Sequence, residues 1–340
     1  MPVDTAEAAA ERAEAGAPAA DAQEAVRAEI RAVMAAERLA MTEIARQAGI
    51  AYGSLTAWMG GHYQGRGERI AEQARRWLAS RQAQARTRAL LPAAPGFVAT
   101  PTAEAIFATF EHAQHLPELV VVTGAPGVGK TAACRAYQTR APNVWILTAE
   151  PVHATPRALL DDLAEAVGIA DRGLSSQRLS RAIAQRLRGS GGLVVVDEAQ
   201  HLPSVALDQL RMIHDLAEVG VALVGNETVY ARLEGGARAA HYAQLFSRVG
   251  MRLARPRPQR GDIEALLDAW GVAGKGERGL LQVIARKPGA LRNLTKVLRV
   301  AHMLAGGEGA AAVAEAHIRM AWERLSGAPV GGQPAAEAAA

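Results

Sequence analysis

Five short apolar runs punctuate the middle of the chain: LVVVT from Leu119, NVWILT from Asn143, LVVVDE from Leu193, VALVGN from Val221 and VGMRLA from Val249. The runs are rich in β-branched residues, and helical stretches separate them. Strands buried on both faces read this way, so the pattern predicts a parallel α/β sheet covered by helices on each side. After RPRPQRGD the periodicity turns helical and stays so to about Leu325, in ALLDAWGV, GLLQVIA and LRNLTKVLRVAHML. It is helical again from Ala25 to Leu78, and LPAAPGFVATP, with three prolines and a glycine, then breaks the helical pattern. The expected organisation is a disordered Ala-rich arm over 1–22, an all-helical domain over 23–90, a linker over 91–101, the α/β domain over 102–258, an all-helical domain over 259–326 and a disordered tail over 327–340. No internal repeat is evident.

Composition narrows the function classes. A chain of 340 residues, 49% of them hydrophobic, has room for two or three cores. The single Cys134 excludes a disulfide framework and a cysteine-built metal site, which suits a reducing cytosol. The first residues are acidic where a secretory signal needs a basic patch and an apolar run, and no window approaches the roughly 18–20 apolar residues of a membrane span. Neither targeting nor a membrane partner is expected. Net charge is only +4, but from Arg66 to Arg88 seven arginines face only Glu68 and Glu72. Such a cluster suits a phosphate backbone as well as a solvated helix.

The chemistry concentrates in two motifs. Gly124-Ala125-Pro126-Gly127-Val128-Gly129-Lys130-Thr131 fits GxxxxGK[ST] and lies between an apolar strand and the helical AACRAYQTR. Glycines let the loop turn its N–H groups inward onto phosphate oxygens, and the helix adds its positive end. Lys130 then meets the β- and γ-phosphates of ATP, and Thr131 gives a hydroxyl to Mg²⁺. About 65 residues later, at a strand end, LVVVDEAQ places Asp197 to complete the Mg²⁺ shell and Glu198 to polarise the attacking water. Asn226 ends the next strand at the same crevice, as a sensor of the γ-phosphate or as a helix cap. Arg248, just before the fifth strand, is placed to reach a neighbouring subunit's γ-phosphate. Arg292, opening a helix of the C-terminal part, is placed to reach back over the nucleotide. An intramolecular ion pair is the alternative for either arginine.

Upstream, MTEIARQAGIAYGSLTAWMG reads as a helix-turn-helix. Ala45 is small where two helices approach, Gly49 allows the tight turn, and Ile44, Ile50, Leu55 and Trp58 supply the apolar contacts. Tyr52, Ser54 and Thr56 would then start or line the helix that faces a DNA groove.

With these residues placed, the chain resembles the phage Mu B family of transposition proteins, AAA+ ATPases, from about Ala25 to Leu325. The likeness rests on the helix-turn-helix ending in RWL, on GxPGVGKT, NVW, SRAIAQRL, VVDEAQHL, VGNETVY, LFSR and KPGALRNL, in that order. One departure is Gln200, where an aspartate is expected. The resemblance implies an α/β P-loop NTPase of AAA+ type with an N-terminal helix-turn-helix domain and a C-terminal helical lid. It further implies ATP-dependent, largely sequence-independent assembly of filaments on double-stranded DNA, activation of a cognate transposase, DNA-stimulated hydrolysis that drives disassembly, and residence in the bacterial host cytoplasm at the nucleoid. Candidate DNA contacts are Arg66, Arg75 and Arg76, then Arg178, Arg181, Arg186 and Arg188 on one helix, and Lys296 and Arg299. A nucleotide-sensing transcriptional regulator and a helicase-loader ATPase remain the alternative readings.

Overall fold

The computed structural model describes residues 5–90, 95–151, 155–170, 173–229 and 248–330. The chain divides into two compact units at Pro92/Ala93.

The first unit holds four helices: α1 (Thr5–Glu37), α2 (Met41–Ala48), α3 (Tyr52–Met59) and α4 (Gly67–Leu90). Its core joins Val26 and Ile30 of α1 to Ile44, Ala45, Ile50, Leu55 and Trp58 of the helical hairpin, and to Ile70, Ala74 and Trp77 of α4. Gly49 closes α2 in the left-handed region (φ 66), and the Ile50 N–H donates to the Ala45 carbonyl at 2.9 Å. This helix stop needs a residue without a Cβ penalty. Trp58 Nε1 donates to Gln23 Oε1 at 2.9 Å, and Gly67 starts α4 so close to that pair that a side chain would collide with it. Of the arm expected over 1–22, residues 1–4 lie outside the described residues, and α1 begins at Thr5.

The second unit is built on β1 (Leu119–Gly124), β2 (Val144–Thr148), β3 (Leu193–Asp197), β4 (Gly220–Gly225) and β5 (Val249–Arg255). They pair in the order β2-β3-β4-β1-β5, all parallel. The inner strands β1, β3 and β4 are buried throughout, as continuous valine-rich runs demand. On one face pack α7 (Pro156–Ala166), α8 (Ser176–Leu187) and α9 (Ser204–Ala217); on the other pack α5 (Pro101–His115) and α6 (Lys130–Arg140). After β5, four helices enclose a separate core: α10 (Arg260–Ala269), α11 (Lys275–Ala285), α12 (Ala290–Gly307) and α13 (Glu315–Ser326).

The segment expected to be a linker is part of this unit from Pro95 onward. Phe97 lies 5.7 Å from the Phe107 ring, Val98 packs on the C-terminal helical core, and Thr100 caps α5 by accepting from the Ala103 N–H. Prolines break helical periodicity whether the chain is free or laid down as an extended strap, so composition does not separate the two cases. Residues 91–94 and 331–340 of the expected linker and tail lie outside the described residues, whereas Val330 packs on the helical core.

Asp262 pins that helical core to the sheet domain. It is fully buried and accepts from the Thr102 N–H (2.7 Å), the Thr102 hydroxyl (2.6 Å) and the Gln259 N–H (2.7 Å). Removing the carboxylate strands these donors away from water. Asp262→Ala is therefore expected to destabilise the second unit by about 3 kcal/mol, read as a lowered urea midpoint with an unchanged m-value.

Candidate active site

The carboxyl ends of β1, β3 and β4 open onto one cavity of about 510 Å³. The loop from Gly124 to Gly129 leaves β1 and feeds directly into α6. Gly127 (φ 85) and Gly129 (φ 103) hold backbone conformations that side chains disfavour. Gly127 also touches Gly289, which leaves no room for a Cβ, and its carbonyl accepts the Leu291 N–H at 3.1 Å. The start of α12 is thus fastened to the phosphate loop, which brings Arg292 to the cavity wall.

Lys130 bends back over the loop, its Nζ donating to the carbonyls of Gly124 (2.7 Å) and Ala125 (3.1 Å). Burial pushes the Lys130 pKa below the usual lysine value, an effect opposed by the charges of Glu198 and Asp197. The ammonium is held in place by loop carbonyls and has no ion pair among the described residues, an arrangement that suits an anionic ligand. Thr131 donates its hydroxyl to Asp197 Oδ2 at 2.6 Å, so one hydroxyl and one carboxylate from neighbouring elements present hard oxygen donors side by side. Glu198 follows in the left-handed region (φ 54, ψ 35), a conformation rare outside glycine, and lines the same cavity. Asn226 lines it too, but its Oδ1 accepts from the Thr228 N–H and hydroxyl. The capping role is therefore present, and the Asn226 Nδ2 amide is the group left to face a ligand.

The far half of the cavity is apolar. Phe97, Val98, Leu266, Trp270 and Leu291 surround it. Trp270 Nε1 is buried with no hydrogen-bond partner among the described residues. A cavity with phosphate chemistry at one end and flat apolar walls at the other has the polarity of a nucleoside triphosphate. The motifs alone do not predict these apolar walls. Phe97 and Val98 come from FVA, just before the Thr-Pro that caps α5, and the others from the apolar helical stretches ALLDAWGV and LRNLTKVLRVAHML.

Arg248 is outside the cavity. It precedes β5, a strand length of roughly 20 Å from the carboxyl edge of the sheet onto which the cavity opens. Its guanidinium donates to both carboxylate oxygens of Asp215 on α9, at 2.8 and 3.3 Å, and holds that carboxyl below its ordinary pKa. Cys134 is buried in α6, and burial pushes its thiol pKa far up, so it offers no thiolate chemistry.

Comparisons with known proteins agree with this geometry. Residues 114–233 match the AAA domain family, and residues 247–325 match the family described as Mu B transposition protein, C terminal. The chain is 38% identical over 300 residues to the ATP-dependent target DNA activator B of Escherichia phage Mu, covering 88% of this chain and 95% of that protein. The chain belongs to the Mu B transposition protein family. It is also 36% identical over 261 residues to the Mu-like prophage FluMu DNA transposition protein B of Haemophilus influenzae, covering 76% and 90% of the two chains. Among solved structures, the ORC1 protein of Aeropyrum pernix in complex with DNA aligns with a TM-score of 0.50 at 23% identity, over 70% of this chain and 69% of that one. At that identity the likeness concerns the fold, which is that of an AAA+ P-loop ATPase.

In this Mu B family chain the residues expected at DNA fall into distinct settings. Tyr52 and Thr56 are exposed on α3, with Ser54 half-buried between them. Arg66, Arg75 and Arg76 are exposed as well, Arg76 paired with Glu72 at 3.5 Å. Arg81 of the same basic cluster is instead a staple, bound to Glu37 and Gln47 and lying over Trp77. Arg178 and Arg181 are exposed on α8, but Arg188 donates to the Leu216 carbonyl in the last turn of α9, a structural use. Lys296 is exposed. Arg299 lines the nucleotide cavity on the same side of α12 as Arg292 and Thr295, a placement the run of basic residues does not reveal. Among the described residues no helix is long and apolar enough to cross a membrane.

Proposed function

We propose that this chain is an ATP-dependent activator of target DNA in transposition, which assembles on duplex DNA in its ATP state and leaves on hydrolysis. The observation that carries the reading is the convergence of the phosphate loop, Glu198, Asn226 and Arg292 on one cavity, with Asp197 bound to Thr131 at its edge, in a Mu B family chain that also has an exposed helix-turn-helix face. Gly124 to Thr131 cradle the triphosphate, with Lys130 on its β- and γ-phosphates. Thr131 and Asp197 would hold Mg²⁺, which would supply positive charge against the phosphates. Glu198 polarises the attacking water, Asn226 presents its amide to the γ-phosphate, and Arg292 joins the state of the nucleotide to the C-terminal helices.

Self-association enters through Arg248. At its distance from the chain's own cavity, it serves a nucleotide only in a neighbouring subunit. The exposed Met212 and Leu216 on α9, beside Asp215, give that face apolar surface for a neighbour. Arg248→Ala is expected to abolish DNA-stimulated hydrolysis while nucleotide affinity stays within about twofold; loss of nucleotide binding instead would contradict action in trans.

DNA is gripped mainly through phosphates by Arg66, Arg75, Arg76, Arg178, Arg181 and Lys296, with Tyr52, Ser54 and Thr56 at the groove, so affinity should fall steeply with salt. The assembly in turn recruits the cognate transposase in the bacterial host cytoplasm, at the nucleoid. Electron microscopy with random-sequence duplex DNA tests the reading. Filaments that require ATP are expected. Discrete dimers on one preferred sequence, indifferent to ATP, would instead indicate a regulator.

A further inference from the structure

Gln200 occupies the short 3₁₀ turn Ala199–His201 that follows Glu198, and both ends of its amide are engaged across the site. Its Nε2 donates to Glu198 Oε2 at 2.5 Å, while its Oε1 accepts the Asn226 N–H at 3.2 Å. The seat is made by Gly225, the last residue of β4, where an added Cβ would collide with the Gln200 Oε1. One side chain therefore ties the carboxylate after β3 to the strand end that carries Asn226. An aspartate, expected at this place from the resemblance, is a methylene shorter and would offer Glu198 only a like charge.

We propose that Gln200 is a positioning residue for hydrolysis, which aims the Glu198 carboxylate by tethering it to the end of β4. The need for a tether follows from the backbone. Glu198 sits in the left-handed region, a conformation that is unfavourable for a non-glycine residue and persists only where its surroundings hold it. A carboxylate on such a turn swings unless its far end is anchored, and a general base displaced by about 1 Å loses much of its effect. Because the anchor reaches the Asn226 backbone, movement of the β4 end toward a γ-phosphate is carried to Glu198 through one amide. The inference rests on the roles proposed for Glu198 and Asn226.

The test is steady-state ATPase kinetics of the full chain with duplex DNA, alongside nucleotide binding. Gln200→Ala is expected to lower kcat at least tenfold, with KM and ATP affinity within about twofold. Gln200→Glu keeps the acceptor for Asn226 but cannot donate to Glu198, and kcat should fall as far as in Gln200→Ala. Gly225→Ala unseats the amide and should lower kcat similarly, with no further loss when combined with Gln200→Ala. Wild-type kcat in Gln200→Glu would mean that the residue only braces β4 and would overturn the proposal, as would a loss in KM equal to that in kcat. Full activity in Glu198→Gln would show that the reading of Glu198 itself fails, independently of any result at Gln200.

Discussion

Lys130→Ala is expected to weaken ATP binding about 100-fold and to leave the protein unable to form an ATP-dependent complex with DNA. Two charge-assisted contacts to phosphate oxygens, at roughly 1.5 kcal/mol each, give about 3 kcal/mol, or a little over two decades in affinity. The loop should survive the change, because Gly127, Gly129 and the Gly127–Leu291 hydrogen bond remain, although the Gly124 and Ala125 carbonyls lose the Lys130 ammonium. Stability should not fall. A lysine whose folded pKa lies below its unfolded value disfavours the folded state while charged; that cost is present below the folded pKa and disappears as pH rises through the window up to the unfolded value. Near neutral pH the relief of this cost offsets the loss of the two Nζ hydrogen bonds, and the alanine variant is expected to melt close to the wild-type temperature. Fluorescent-nucleotide titration and a thermal melt check both parts, and loss of binding accompanied by a lower Tm would point to a damaged loop.

The second large effect belongs to Glu198. Glu198→Gln removes the negative charge that polarises water while keeping shape and hydrogen-bonding capacity, so kcat should fall by about 10²–10⁴-fold with little change in KM. Binding groups remain in place: the hydrogen bonds of Lys130, Thr131 and Asp197 do not involve the Glu198 side chain, whose backbone N–H still donates to Asp197 Oδ1. The variant is therefore expected to bind ATP and DNA normally but to stay in the ATP state. Single-turnover hydrolysis measured with DNA present separates this from a binding defect.

Local signals carried much of this architecture. Buried parallel strands write themselves as valine runs, and a phosphate loop needs its glycines at fixed spacing, so GAPGVGKT, LVVVDE and VALVGN announced the sheet and one edge of the site. Gly49 and Trp58 did the same for the N-terminal hairpin. Less legible was what depends on distant partners. The strap at Phe97 and Val98 reads as a linker until α5 and the C-terminal helices are there to cover it. Arg81, Arg188 and Arg299 look alike in a sequence; their settings differ because Glu37, the Leu216 carbonyl and the nucleotide cavity lie beside them in three dimensions. Gln200 read as a departure from pattern, and its reach from Glu198 to Asn226 exists only once β3 and β4 stand side by side.

The central claim is that bound ATP holds this protein on DNA and hydrolysis lets it go. It is tested most directly by loading wild type and Glu198→Gln onto labelled random-sequence duplex with ATP and Mg²⁺, adding a large excess of unlabelled duplex, and following release. Wild type should leave at a rate close to its hydrolysis rate, while Glu198→Gln should persist at least tenfold longer. Equal release from the two would contradict the account.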